Sequence, residues 1–155
     1  FTARLAKRSK TVENTTTKTL PRNEEPARSL SVLVVEDNQV NQRIVTAMLE
    51  KQGHTVRIAQ NGKEALEVNS TDKFDVILMD IQMPIMGGEE AVAHIRAAEK
   101  ERSLPHIPII ALTAHAMRGD REKYLAAGMD AYVAKPIDKD ELLNAIARLV
   151  VKKPL

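Results

Sequence analysis

At 155 residues the chain is the size of one ordinary domain with room for an appendage, and its apolar and charged fractions are those of a soluble globular protein. It has no cysteine, which excludes disulfides and cysteine-held metals and fits a reducing compartment. A net charge of +2 and an aromatic content of 3% supply neither a strong basic field nor a stacking platform, so nucleic acid is not an expected partner.

The first residues, FTARLAKRSK, lack the apolar core of a signal peptide, and no later run approaches the ~18 apolar residues of a membrane span. No membrane contact is expected of this segment. Residues 7–29 read as a linker: TVENTTTKTLPRNEEPARS is polar, punctuated by Pro21 and Pro26, and too poor in apolar groups to offset its own ordering entropy. An irregular arm or a tag fits the same composition.

From Leu30 the texture changes. Five apolar runs follow in order: SVLVV (31–35), HTVRIA (54–59), FDVILM (74–79), PIIAL (108–112) and AYVA (131–134). Most are short, β-branched and nearly continuous, as strands buried on both faces of a parallel sheet require. Between them lie helical patterns. Val40, Ile44, Val45, Met48 and Leu49 recur at helical spacing, with Gly53 as a stop. Ala65, Leu66 and Val68 follow Asn61-Gly62, and Ala91, Val92, Ile95 and Ala98 follow Gly87-Gly88. The segment Arg118 to Ala127 is thinner, with Leu125 as its only aliphatic residue larger than Ala, and it stops at Gly128. Leu142, Leu143, Ile146, Leu149 and Val150 give the last segment a clear apolar face. Strand and helix thus alternate, which predicts an α/β fold with helices on both faces of a parallel sheet, because each crossover must be right-handed.

Ligands of open α/β sheets bind outside the carboxyl ends of the strands. The first run is followed by Glu36-Asp37-Asn38, the third by Asp80, the fourth by Thr113 and the fifth by Lys135-Pro136. With neighbouring strands about 4.8 Å apart, these groups can converge in one shallow pocket. Carboxylates that close repel one another, and a hard divalent cation resolves the conflict; an oxygen-only site with room for water favours Mg²⁺, with Mn²⁺ a possible substitute. A carboxylate can attack phosphorus to form an acyl phosphate, after which positioning and charge neutralisation dominate. Mg²⁺ would then hold one phosphoryl oxygen, Lys135 a second, and the Thr113 hydroxyl a third.

Each residue also has a plainer explanation. Asp37-Asn38 before a helical stripe reads as an N-cap, and an Asp at a strand end as a turn former. Thr113 can be a capping residue, and Lys135, extended by Pro136, a solvated lysine. It is their joint placement on successive strand ends that favours the chemistry.

These residues resemble the receiver (response-regulator) domain of two-component signalling, over Leu30 to about Val151, in VLVVEDN, DVILMDIQMPIMGG, PIIALTA and AYVAKP. The resemblance implies a flavodoxin-like doubly wound (βα)5 sandwich whose parallel sheet has the order 2-1-3-4-5. It implies Asp80 as phosphoacceptor, Glu36 and Asp37 as the acid pair serving Mg²⁺, and the main-chain carbonyl of Gln82 as a further ligand. Thr113 and Lys135 match the family's switch hydroxyl and lysine. Tyr132 matches its switch aromatic, which would move with Thr113 as one bistable element biased by charge at Asp80.

EDNxxN (Glu36 to Asn41) with TAHAM (Thr113 to Met117) looks like receivers attached to hybrid sensor histidine kinases. FTARL resembles the closing strand of a kinase ATP-binding domain. Residues 1–29 would then be the tail of such a domain plus a flexible linker, and 30–152 the receiver. The parent would be a histidine kinase, this segment accepting a phosphoryl group from a donor and slowly losing it. The implied partner is a histidine-containing phosphotransfer protein or a kinase phosphohistidine domain, docking over the pocket and along Val40, Asn41 and Ile44. The implied setting is cytoplasmic, including the cytoplasmic part of a membrane-anchored kinase.

Two other functions compete. A phosphohydrolase with an aspartyl-phosphate intermediate would want a second acid two residues past the nucleophile, where this chain has Gln82. A scaffold binding partners without phosphorylation would not need every acidic, hydroxyl and lysine position filled. The histidines show no metal-ligand spacing. His54, His94 and His106 read as solvated surface residues, and His115 as a residue near the pocket mouth that could influence how water reaches an acyl phosphate.

Overall fold

The computed structural model describes residues 29–114, 117 and 119–151. The expectations for the segment before residue 29 and for His115 lie outside the described residues. Strands and helices alternate as β1 (Ser31–Val35), α1 (Gln39–Glu50), β2 (Thr55–Ala59), α2 (Gly62–Thr71), β3 (Val76–Asp80), α3 (Gly88–Arg102), β4 (Ile109–Thr113), α4 (Asp120–Ala126), β5 (Ala131–Ala134) and α5 (Lys139–Val151). The strands form one sheet in the order β2-β1-β3-β4-β5, every pairing parallel. This is the doubly wound 2-1-3-4-5 arrangement that the resemblance implies.

Side chains of a strand alternate between faces, so each inner strand supplies two cores at once. Leu33, Val35, Ile77, Met79, Ile109 and Ala111 pack on one face against Ala65 and Val68 of α2, Val92 and Ile95 of α3, and Tyr124 of α4. Val32, Val34, Leu78, Ile110 and Leu112 pack on the other against Val45 and Leu49 of α1 and Leu142 and Ile146 of α5. Helices on both faces explain why the runs of β1, β3 and β4 are continuously apolar. HTVRIA departs from that expectation because β2 is an edge strand, and Thr55 and Arg57 alternate outward from it.

Helix starts follow their capping residues. The side chains of Asn38 and Asn61 accept hydrogen bonds from Asn41 N and Glu64 N at 3.0 and 2.9 Å, and Asp138 accepts from Glu141 N at 2.9 Å. The N-cap explanation for Asn38 therefore holds alongside its place next to the acidic pair. Two stripes differ from the expected pattern. In α1 only Val45 and Leu49 are fully buried, while Val40 and Ile44 are 61% and 44% exposed. In α4 the inward residue is Tyr124, and Leu125 faces solvent. The short helix has space for one large inward group, and the ring fills it.

Candidate functional site

All five strands run the same way, so their carboxyl ends share one edge, and the register sets what meets there. Val35 pairs with Met79, Asp80 with Leu112, and Thr113 with Ala134. Glu36 and Lys135, each one residue past a strand, are held in line by Glu36 N donating to Ala59 O (3.0 Å) and Lys135 N to Thr113 O (2.7 Å). Gly88 lets α3 begin against the end of β3: any Cβ there would run into the backbone carbonyl of Asp80.

Glu36, Asp37 and Asp80 each offer a carboxylate oxygen within 4.8 Å of the others. Glu36 is buried, and its Oε2 accepts from Asn38 N at 3.2 Å and Asn41 Nδ2 at 3.5 Å. Lys135 Nζ lies 3.1 Å from both Glu36 Oε1 and Asp80 Oδ1. The contact with Glu36 is an ion pair, and Oε1 is buried with no hydrogen-bond donor among the described residues. Asp80 Oδ1 also accepts from Gln82 N at 3.3 Å.

The cluster carries more negative than positive charge. Burial, and next the charge of Glu36, push the Asp80 carboxyl up to about 6 against the pull of Lys135. Lys135 is also raised: burial works to lower it, and Asp80 and then Glu36 outweigh burial. Both shifts have one origin, a surplus of carboxylate in a partly dry place. An oxygen-only donor set with a buried, undonated carboxylate oxygen and a reluctant acid beside it fits a hard divalent cation such as Mg²⁺.

One cleft of about 620 Å³ gathers Glu36, Asp37, Asp80, Gln82, Thr113 and Lys135 along its wall. Six of the seven site residues read from the sequence thus stand together, and Tyr132 does not line that cleft. The Thr113 hydroxyl lies 2.7 Å from the hydroxyl of Tyr124, both residues being buried. Tyr132 stands behind Tyr124, ring centroids 6.1 Å apart and tilted by 49°.

Sequence reasoning passed over Tyr124. The signal was present: a tyrosine in an otherwise polar helix needs both an apolar seat and a partner for its hydroxyl. Asn41 and Lys123 also line the cleft without having been assigned a part in its chemistry. His94 is exposed, as expected. His106 is exposed too but lies 2.8 Å from Asp130. His54 is not a solvated residue: it is half-buried, and its Nδ1 accepts from Leu30 N at 3.1 Å. Burial lowers its pKa, opposed by Asp75.

A family model described as the response regulator receiver domain matches residues 32–147. Hybrid signal transduction histidine kinase I of Dictyostelium discoideum is 48% identical over 126 residues, covering 78% of this chain and 7% of that protein. The receiver domain of sensor histidine kinase PA1611 from Pseudomonas aeruginosa, solved with a magnesium ion coordinated in its active-site cleft, superposes with a TM-score of 0.72 and 41% identity, covering 81% of this chain and all of that one. The receiver domain of the response regulator Ssk1 from Saccharomyces cerevisiae, solved with the histidine phosphotransfer protein Ypd1, gives a TM-score of 0.77 at 32% identity, over 82% of this chain and 92% of that one. The chain spans only a small part of the length of the kinases it matches.

Proposed function

The chain belongs to the response regulator receiver domain family of two-component signalling, and we propose that Asp80 is its phosphoacceptor in a His-Asp relay. The observation that carries this reading is Asp80 itself: a buried carboxylate at a strand end, 3.1 Å from the Lys135 ammonium and inside the acidic cluster. An Asp80 oxygen attacks the phosphorus of a phosphohistidine. The new P–O bond forms as the P–N bond breaks, and the electron pair leaves with the imidazole nitrogen, which then takes a proton from solvent.

Lys135 balances charge on the incoming phosphoryl group, and the Thr113 hydroxyl donates to one of its oxygens. Glu36, Asp37, Asp80 and the main-chain carbonyl of Gln82 are the residues that would hold Mg²⁺, with Mn²⁺ as a substitute. When bound, the ion supplies positive charge for the phosphoryl oxygens. The solved relative with magnesium in its cleft supports this assignment.

The donor is a histidine-containing phosphotransfer protein or a kinase phosphohistidine domain. The solved complex of a similar receiver with Ypd1 supports a donor of this kind. Val40 and Ile44, apolar and exposed on the helix that begins beside the acidic pair, give it a surface to dock on. Similarity to hybrid kinases supports a place as a receiver of such a kinase; in this reading it is the C-terminal receiver, with residues 1–29 as domain tail and linker and 30–152 as the receiver. The test is intact mass after incubation with Mg²⁺ and acetyl phosphate. One phosphoryl group is expected on the wild-type protein, none after chelation and none on Asp80→Asn. Equal labelling of Asp80→Asn would sink the assignment.

A further inference from the structure

We infer that Gln42 is a positioning residue for the divalent cation: its side-chain amide clamps the main chain between Glu36 and Asp37, and the stiffness it gives that acid pair favours Mg²⁺ over Ca²⁺. This rests on the two acids serving the cation, as proposed above. Gln42 Nε2 donates to Glu36 O at 2.6 Å, six residues back along the chain. Helical side chains lean toward the N-terminus of their helix, so a glutamine at the fourth position of α1 reaches back over the first turn to the end of β1. A carbonyl just past a strand has left the regular ladder and needs a donor from elsewhere, which Gln42 supplies.

Glu36 is held at its other polar atoms too. Its N donates to Ala59 O at 3.0 Å, and its Oε2 accepts from Asn38 N at 3.2 Å and, more loosely, from Asn41 Nδ2 at 3.5 Å. The turn that supplies these donors is itself fixed, because Gln42 N donates to Asn38 O at 2.9 Å and Asn41 N to Asn38 Oδ1 at 3.0 Å. One turn of α1 thus grips Glu36 by its carbonyl and by one carboxylate oxygen. Oε1, buried and 3.1 Å from Lys135 Nζ, is the oxygen with no hydrogen-bond donor among the described residues. Glu36 is set to offer one oxygen and to resist turning. Mg²⁺ demands near-ideal octahedral geometry and short bonds, whereas Ca²⁺ accepts more oxygens in flexible arrangements and takes carboxylates by both oxygens. A stiff, one-oxygen acid suits the stricter ion. Loosening it costs Mg²⁺ its shaped site, while Ca²⁺ adapts.

The experiment is titration of the intact chain with magnesium chloride and with calcium chloride at pH 7.5, followed by the amide chemical shifts around Asp80, with urea unfolding of every variant. Gln42→Met keeps the length and helix propensity of the side chain and removes its donor. It should weaken Mg²⁺ binding about tenfold, as loss of a group that orients a metal ligand does, and lower the ratio of Mg²⁺ to Ca²⁺ affinity at least threefold. Gln39→Met, the same change at an exposed position in the first turn, should leave both affinities within twofold. Asn41→Ala removes the looser hold and should lower the ratio in the same direction by a smaller factor. It decides the matter should Gln42→Met not fold.

A loss of Mg²⁺ affinity below threefold in Gln42→Met, or a loss matched by Ca²⁺, overturns the clamp alone and leaves Gln42 as a contact at the start of a helix. No Mg²⁺ binding by the wild type, or Mg²⁺ binding untouched by Glu36→Gln, overturns the cation reading together with the clamp built on it.

Discussion

Asp80 holds a proton more tightly in the folded chain than in the unfolded one, because burial and Glu36 outweigh Lys135. For a carboxyl raised from 3.8 to about 6, the contribution to folding is fully favourable below the lower value and is lost as pH rises through the upper one. At pH 7.5, without metal, ionised Asp80 therefore opposes folding. Asp80→Asn should stabilise the metal-free protein at pH 7.5 by about 1–3 kcal/mol in urea unfolding, with the gain shrinking towards pH 4. The same sign governs metal binding: a protonated Asp80 is a poor ligand, so Mg²⁺ affinity should fall as pH drops through about 6. Calorimetric titrations at pH 5 and pH 8 measure this. Lys135→Ala removes a cation 3.1 Å from two of the carboxylates, so it should bind Mg²⁺ at least as well as the wild type. It should lose most of the conformational response to phosphorylation, seen as chemical-shift changes in α4 and β5.

At the scale of elements, the loop between β3 and α3 sets the floor of the site. Gly88 N donates to Ile81 O at 3.0 Å, and α3 starts directly against the Asp80 carbonyl. Gly88→Ala must push α3 from the sheet or bend β3, and should cost about 2 kcal/mol or more in denaturant unfolding, with weakened Mg²⁺ binding. The inner strands and the α3 stripe were legible in the sequence because doubly buried strands and one-sided helices leave clean periodicities. The convergence of Glu36, Asp80, Thr113 and Lys135 was legible too, since a parallel sheet sends every carboxyl end to one edge. Three things were not. Edge position gave β2 its alternation; helical spacing alone could not say that Val40 and Ile44 lie off the core; and Tyr124 meets Thr113 across two elements, which periodicity cannot display.

For the molecule as a whole, the cleft and the exposed start of α1 lie at the same edge of the sheet, so one protein partner can cover both. Replacing Ile44 by Asp should weaken binding of a histidine-containing phosphotransfer protein at least tenfold in a calorimetric titration. Leu104→Asp is the control: Leu104 is also exposed but lies past the far end of α3, by the opposite edge, and its substitution should leave that affinity within twofold. The central claim, that the phosphoryl group is carried by Asp80, can be tested by reducing the phosphorylated protein with borohydride and mapping its peptides by mass. An acyl phosphate reduces to the alcohol, so homoserine should appear at position 80 only after treatment with Mg²⁺ and acetyl phosphate. An unreduced Asp80 with homoserine at Asp37 or elsewhere would contradict it.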